Sequence, residues 1–225
     1  KISKLNKNLK KKVSKDITNI LKKKFFKGLI FSHLPILMGV LNLTPDSFSD
    51  GGKFNKKNMG EQQAKKLLKD GCGILDIGGE ATNPGSKDVD ENKEWERIYP
   101  TLYKIKRLKK FISLDTRKST IMKKGIKNKI NLINDVSGLK YDLNTIQVLK
   151  ETNIPFVIHH MQGEPKTMQK NPRYNNVLLD IYDFFENKIR YLRSQGIKHN
   201  NIILDPGIGF GKNLKHNITL LRNIS

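Results

Sequence analysis

Three polar residues, Asp115, Asn134 and Asp205, end three separate apolar runs of this chain. A carboxylate accepts two parallel N–H bonds, while a carboxamide offers an acceptor and two donors. If the fold gathers these ends, an acid, an amide and an acid suit a flat heterocycle with an amino-pyrimidinone edge. The same trio could instead bind a metal or do acid–base work. Buried without a ligand, each would carry a desolvation cost, so a structural role for all three is disfavoured. Asp205 alone could still cap the loop that follows it.

Other segments add chemistry around them. Asn42 opens NLTPDSFSDGG (42–52) and presents a hard amide oxygen of the kind Mg²⁺ accepts, although a strand-end Asn also serves as a plain turn residue. The length of this loop, with Pro45, Gly51 and Gly52, marks it as a candidate mobile lid. GGEATNPGS (78–86) has two leading glycines that let backbone approach a ligand, with the Thr82 hydroxyl beside them; a surface turn is the plainer reading. DPGIGFGK (205–212) reads GxGxG rather than GxGxxG, so a nicotinamide site is not supported. His159 and His160 are adjacent on an apolar run and must point to opposite faces, with no Cys or second His spaced for zinc. Neither GxSxG nor GxxxxGK[ST] occurs, which removes serine-hydrolase and P-loop readings.

The elements that must position these residues alternate along the chain. Apolar runs at 36–41, 73–77, 111–115, 130–135, 155–160 and 201–205 lack polar alternation, as strands covered on both faces do. Between them lie helical patterns at 59–69, 94–108, 119–127, 143–152 and 177–194, and one starting near Leu214. Gly71, Asn128, Asn153 and Gly196 stand where helices would end. Strand, helix, strand, repeated, means parallel α/β architecture. An open doubly wound sheet would concentrate polar groups at one switch point, whereas here nearly every strand ends in one. A ring of such residues is how a (β/α)8 TIM barrel builds its active face. Only six strands are readable, so the barrel is expected to be truncated after about six strands, as a piece of a longer protein.

Composition sets the remaining bounds. The 225 residues include 43 Lys and Arg against 21 Asp and Glu, a formal charge of +22. Of the basic residues 36 are Lys and seven are Arg, spread without an aromatic-interleaved stripe, which reads as solvated surface. A polyanion-binding surface would centre on Lys1–Lys27. The lone Cys72 excludes an intramolecular disulfide and fits a reducing compartment, so a cytoplasmic location is expected. No apolar run reaches membrane-spanning length, and no membrane partner is expected. Residues 1–28 read as a basic N-terminal extension and 29–225 as the barrel domain.

The motifs NLTPDSFSDGG, LDIGGEATNPGS, SLDTRKS, INDVSGL, HHMQGEPKTMQKNPRY and ILDPGIGFGKNLKHN resemble, in this order, those of the dihydropteroate synthases. That family consists of pterin-binding barrels of folate biosynthesis, and the likeness covers roughly residues 30–225. It implies a transferase condensing 6-hydroxymethyl-7,8-dihydropterin diphosphate with 4-aminobenzoate to give 7,8-dihydropteroate and pyrophosphate. By this resemblance Asn42 would coordinate Mg²⁺ on the diphosphate, and Thr82 would contact the same substrate. Asp115, Asn134 and Asp205 would hold the pterin edge, and Phe48, Pro84 and Phe210 would surround the aminobenzoate. No protein nucleophile is implied, a homodimer is, and nucleic acid is not an expected partner.

Two departures from the family pattern stand out. Ala81-Thr82-Asn83 replaces the usual Ser-Thr-Arg, removing a cationic fork, and a late Ser-Arg-Lys stretch and Arg-x-His pair are not in this sequence. The 225-residue chain by itself is therefore expected to have little synthase activity. Two other readings are a pterin-dependent methyltransferase, disfavoured by TPDSFSDGG, and a catalytically incomplete remnant that binds pterin or polyanions.

Overall fold

The computed structural model describes residues 6–21, 25–26, 29–30, 35–44, 58–81, 88–163 and 167–223. The chain divides into two compact units, Lys1–Pro35 and Ile36–Ser225. In the first, helix α1 (Lys7–Leu21) is followed by a short antiparallel pair, β1 (Phe25–Phe26) and β2 (Leu29–Ile30), with Phe26 opposite Leu29.

The second unit repeats strand and helix: β3 (Met38–Asn42), α2 (Met59–Lys69), β4 (Ile74–Gly78), α3 (Glu91–Ile105), β5 (Phe111–Asp115), α4 (Ser119–Lys127), β6 (Leu132–Asp135), α5 (Thr145–Thr152), β7 (Phe156–His159), α6 (Val177–Ser194), β8 (Ile202–Asp205) and α7 (Leu214–Arg222). All six strands of this sheet are parallel, and their spatial order is their sequence order, β3-β4-β5-β6-β7-β8. A doubly wound sheet reverses order at its switch point. Here none of the described strands does, so these six units follow the barrel arrangement.

Alternate strand residues divide the labour. Leu75 and Ile77, Ile112 and Leu114, Ile133, and Ile158 turn toward the helices and join Ala64, Ile98, Leu102, Ile121, Met122, Val148, Leu149, Ile181 and Phe185 in one buried cluster. Each Leu, Ile, Val, Met or Phe side chain among them contributes about 1.5–3 kcal/mol by leaving water. The opposite strand face carries the polar residues described below.

Helix starts are fixed by caps that the periodicity alone does not show. The Asp90 side chain accepts from the Asn92 and Lys93 amides, so α3 begins at Glu91, three residues before its apolar stripe, and a 3₁₀ turn takes over at Lys106–Leu108. Asn144 makes no side-chain cap bond, and α5 starts at Thr145 rather than at residue 143. Gly71, Asn153 and Gly196 adopt the left-handed conformation expected after a helix, but Asn128 does not (φ −89°); Lys129 takes it instead (φ 64°). Among the described residues no helix is long and apolar enough to cross a membrane.

Candidate functional site

Register places the candidate residues on one sheet face. Asn42 pairs with Gly78, Gly78 with Asp115, Asp115 with Asn134, and Asn134 with Val157. Because successive side chains alternate, Asp76 lies on the same face as Gly78, and His159 on the same face as Val157. Asp205 pairs with His159 and so joins that face two residues beyond Ile203, itself paired with Val157. The trio is therefore gathered at the C-terminal strand ends of one face. Asp115 and Asn134 are immediate neighbours, and Asp205 stands across β7 from them.

Gly78 opens a gap in this row. A Cβ there would lie 3.4 Å from Asp115 Oδ2 and 3.7 Å from Asn42 Oδ1, so a bare Cα separates the exposed Asn42 amide from the Asp115 carboxylate. Below it, the buried Asp76 carboxylate accepts the Asn134 Nδ2–H at 2.9 Å. That bond fixes the Asn134 amide plane, turning Nδ2 toward Asp76. Asp76 Oδ1 is buried with no hydrogen-bond partner among the described residues.

The electrostatics follow from crowding. Burial pushes the Asp115 carboxyl well above the usual carboxylate range, and the charges of Asp76, Asp135, Glu94 and Glu80 push it further. Burial also raises Asp76, against the opposing pull of Ser113 and Asn134. Asp135, on the other face, is buried and raised to about 6 despite hydrogen bonds from Ser137. Asp205 differs. Burial would raise it, but His159, the Gly207 amide at 2.8 Å and Lys212 outweigh that and hold it below the usual range. The face thus offers one carboxylate kept ionised and one carboxyl poised to release a proton when a donor arrives.

Around Asp205 the DPGIGFGK segment folds tightly. His159 Nδ1 lies 2.9 Å from Asp205 Oδ2, and its ring meets Phe210 edge-on with centroids 4.5 Å apart. The two histidines diverge as adjacent positions must: His160 packs its ring against Phe184 of α6 at 4.8 Å. Gly207 takes φ 68°, and a Cβ there would lie 2.0 Å from the His160 carbonyl oxygen, so only glycine fits. Lys212, 3% exposed, donates to the Phe210 and His160 carbonyls, and burial pushes its ammonium down to about 8. Burial and the neighbouring Lys212 lower His160 to about 4, leaving a neutral ring whose Nδ1 accepts from Lys212 Nζ at 3.0 Å.

Of the residues named from sequence, Asn42, Asp115, Asn134, Asp205 and Phe210 occupy these positions; Phe48, Thr82 and Pro84 lie outside the described residues. Sequence reasoning left Asp76 and Lys212 unassigned. Asp76 was visible as a strand-end acid, whereas Lys212 is one lysine among 36. It also left out the buried Glu80, Glu94 and Lys118 and the half-buried Arg117, which form an ionic cluster beside the site.

A family model described as pterin binding enzyme matches residues 38–225. A dihydropteroate synthase of Haemophilus influenzae is 40% identical over 193 residues, 85% of this chain and 70% of that protein. The chain belongs to the dihydropteroate synthase family. An Escherichia coli dihydropteroate synthase is 39% identical over 88% of this chain and 70% of its own length. Among solved structures, a Yersinia pestis dihydropteroate synthase in a sulfonamide drug complex superposes with a TM-score of 0.80 at 39% identity, covering 89% of this chain and 73% of that one. A Xanthomonas albilineans dihydropteroate synthase solved with 4-aminobenzoic acid gives 0.78 at 31% identity, covering 87% and 69%. A Burkholderia cenocepacia dihydropteroate synthase complexed with 7,8-dihydropteroate gives 0.75 at 33%, covering 87% and 66%. The expected family, fold and transferase reaction of folate biosynthesis are thereby established, and the methyltransferase reading is set aside.

Proposed function

We propose that the row Asn42–Gly78–Asp115–Asn134, with Asp205 across β7, is the pterin-diphosphate site, and that 4-aminobenzoate enters beside Phe210. The observation that carries this reading is the placement of an amide and two acids on one face, with Gly78 bare between Asn42 and Asp115. A pterin edge presents ring and exocyclic N–H donors with a carbonyl acceptor alongside. The Asp115 and Asp205 carboxylates accept the donors, and Asn134, its amide oriented by Asp76, supplies a mixed partner.

In this reading the residues orient and desolvate the reactants and make no covalent bond. The aromatic amine attacks the exocyclic methylene, a C–N bond forms, the C–O bond breaks, and diphosphate departs with the electron pair. The amine then loses its proton. Phe210, held edge-on by His159, offers an apolar wall for the ring of the incoming amine. The donor set fits Mg²⁺ in one respect: Asn42 contributes a single hard, neutral oxygen at an exposed strand end, where an ion retaining waters and phosphate oxygens needs few protein ligands. Bound there, Mg²⁺ would neutralise charge on the leaving diphosphate. Thr82, from the following loop, is assigned to the same substrate on its sequence position. The chain is proposed to work in a reducing cytoplasm, as a homodimer.

Asp205→Asn tests the assignment. The change keeps shape but removes the ionised acceptor, so pterin affinity measured by calorimetry is expected to fall at least tenfold, with dihydropteroate formation falling in step. Affinity within twofold of the unsubstituted chain would remove Asp205 from the site.

A further inference from the structure

His159 and Asp205 are the last residues of two neighbouring parallel strands and stand opposite each other in register. The bond from the His160 amide to the Asp205 carbonyl, 2.9 Å, continues the ladder past them and fixes their backbones side by side. Both side chains therefore leave the same face at the same level, and His159 Nδ1 comes within 2.9 Å of Asp205 Oδ2. Asp205, held below the usual carboxylate range, is ionised at neutral pH. Its oxygen is then an acceptor, so Nδ1 must carry the hydrogen. The other oxygen, Oδ1, accepts from the Gly207 amide at 2.8 Å. One donor on each oxygen fixes the carboxylate plane, while 43% of the side-chain surface stays open and leaves lone pairs for a ligand.

An imidazole is a costly way to fill this position. His159 is 4% exposed, and its Nε2 is buried with no hydrogen-bond partner among the described residues. An unpartnered buried nitrogen costs stability that a phenyl ring of similar shape would avoid. What a phenyl ring cannot supply is the Nδ1 donor. The same imidazole meets the Phe210 ring at 80° with centroids 4.5 Å apart, an edge-to-face contact. The backbone of Phe210 is held separately: its amide donates to the Gly207 carbonyl at 3.0 Å, and its carbonyl accepts from Lys212 Nζ at 2.9 Å. His159 thus touches both Asp205 and Phe210, the first through one nitrogen and the second through its ring.

We propose that His159 is a positioning residue with two separable tasks: its Nδ1–H aims the Asp205 carboxylate at the pterin, and its ring sets the Phe210 wall that 4-aminobenzoate meets. This role rests on the function proposed above, which assigns those ligands to Asp205 and Phe210. His159 itself touches neither substrate in this scheme. Because the tasks use different parts of one side chain, two substitutions separate them. His159→Asn keeps an N–H donor near the Nδ1 position and removes the ring. His159→Phe keeps the ring and removes the donor.

The test compares both variants with the unsubstituted full chain by calorimetry, using dihydropterin alone and then 4-aminobenzoate at saturating dihydropterin and pyrophosphate. His159→Phe is expected to raise the dihydropterin Kd about fivefold or more, with the 4-aminobenzoate Kd within about twofold. His159→Asn is expected to do the reverse: dihydropterin within about twofold, 4-aminobenzoate weakened about threefold or more. Parallel losses of both affinities in both variants would mark a merely structural side chain and overturn the proposal. Dihydropterin affinity unchanged in His159→Phe would overturn it as well. Absence of dihydropterin binding to the unsubstituted chain would strike the function proposed above, and this role with it; binding that neither variant alters would strike the role of His159 alone. Nitrogen-15 NMR of the histidines in the unsubstituted chain decides the matter if the variants do not fold. An exchange-protected Nδ1 proton that shifts on adding dihydropterin, and not on adding pyrophosphate alone, is the expected signature. A His159 protonated only at Nε2 would overturn the proposal.

Discussion

Replacing Asp115 with Asn should stabilise the ligand-free chain while destroying pterin affinity. In the folded chain burial and four neighbouring acids hold this carboxyl well above the usual range. In the unfolded chain it titrates near 3.9. Between those two values the folded state keeps a proton that the unfolded state has released, so stability falls as pH rises through the window. For one group the slope is about 1.4 kcal/mol per pH unit. Below pH 3.9 both states are protonated and the contribution is flat. Asn neither titrates nor carries charge, so the variant lacks this slope. Its advantage should widen by roughly 3–5 °C in Tm per pH unit, at the 2–4 °C per kcal/mol typical of a domain this size.

Ligand affinity should move the other way. Two hydrogen bonds to an ionised acceptor are together worth about 3 kcal/mol or more, and the amide turns one acceptor into a donor facing a donor. That is more than a hundredfold in Kd. Thermal melts from pH 4 to 8, with and without a dihydropterin, measure both effects in one experiment. A variant destabilised equally at every pH would show that Asp115 is not held protonated by its neighbours. Unchanged affinity would show that the pterin sits elsewhere.

Gly78→Ala should leave stability nearly unchanged, because the new methyl would make ordinary contacts of 3.4 Å or more, yet it would fill the gap between Asn42 and Asp115. Calorimetry should show pterin-diphosphate affinity reduced tenfold or more with Tm within about 2 °C. Gly207→Ala should do the reverse, costing about 2 kcal/mol or more through its positive φ and its clash with the His160 carbonyl; urea unfolding measures the loss. Lys212→Met should abolish a rise in stability between pH 8 and 10. The buried ammonium, lowered to about 8, loses its proton in the folded state before it does in the unfolded chain, so unsubstituted stability climbs by about 1.4 kcal/mol per pH unit across that range. Denaturation at the two pH values reads the difference.

Much of this site could be read from sequence because of what surrounds it. A polar residue ending a run such as FISLD or NIILD stands out, since a strand covered on both faces tolerates none in its middle without a reason. Asp115, Asn134 and Asp205 were found that way, and consecutive strand order brought them to one face. What failed was the recognition of partners. Asp76 and Asn134 are 58 residues apart, and only the β4–β5–β6 register makes them neighbours. Glu80, Glu94, Arg117 and Lys118 carry types that belong on solvated surface when taken singly. Their burial, partial for Arg117, depends on ion pairs between residues 24 to 38 positions apart, which a linear pattern does not encode. Gly78 shows the same limit: the Gly78-Gly79 pair suggested backbone approach, but the row that Gly78 interrupts is visible only in register.

The charge distribution separates two tasks that the net charge of +22 would merge. At physiological salt, exposed lysines act over about 8 Å, so most of them can only raise the local concentration of an anionic substrate. They cannot tell one diphosphate ester from another. Discrimination needs groups that read the heterocycle, and in this basic chain the face that would do so is acidic: Asp76 and Asp115 crowd together, with Asp205 across β7. Burial raises the Asp76 and Asp115 carboxyls, and for Asp115 the nearby acid charges add to it, a destabilisation that a donor-rich ring would relieve and a bare phosphate would not. On the function proposed above, selectivity for a pterin over other anions would follow from placing acids where the surrounding lysines would predict none.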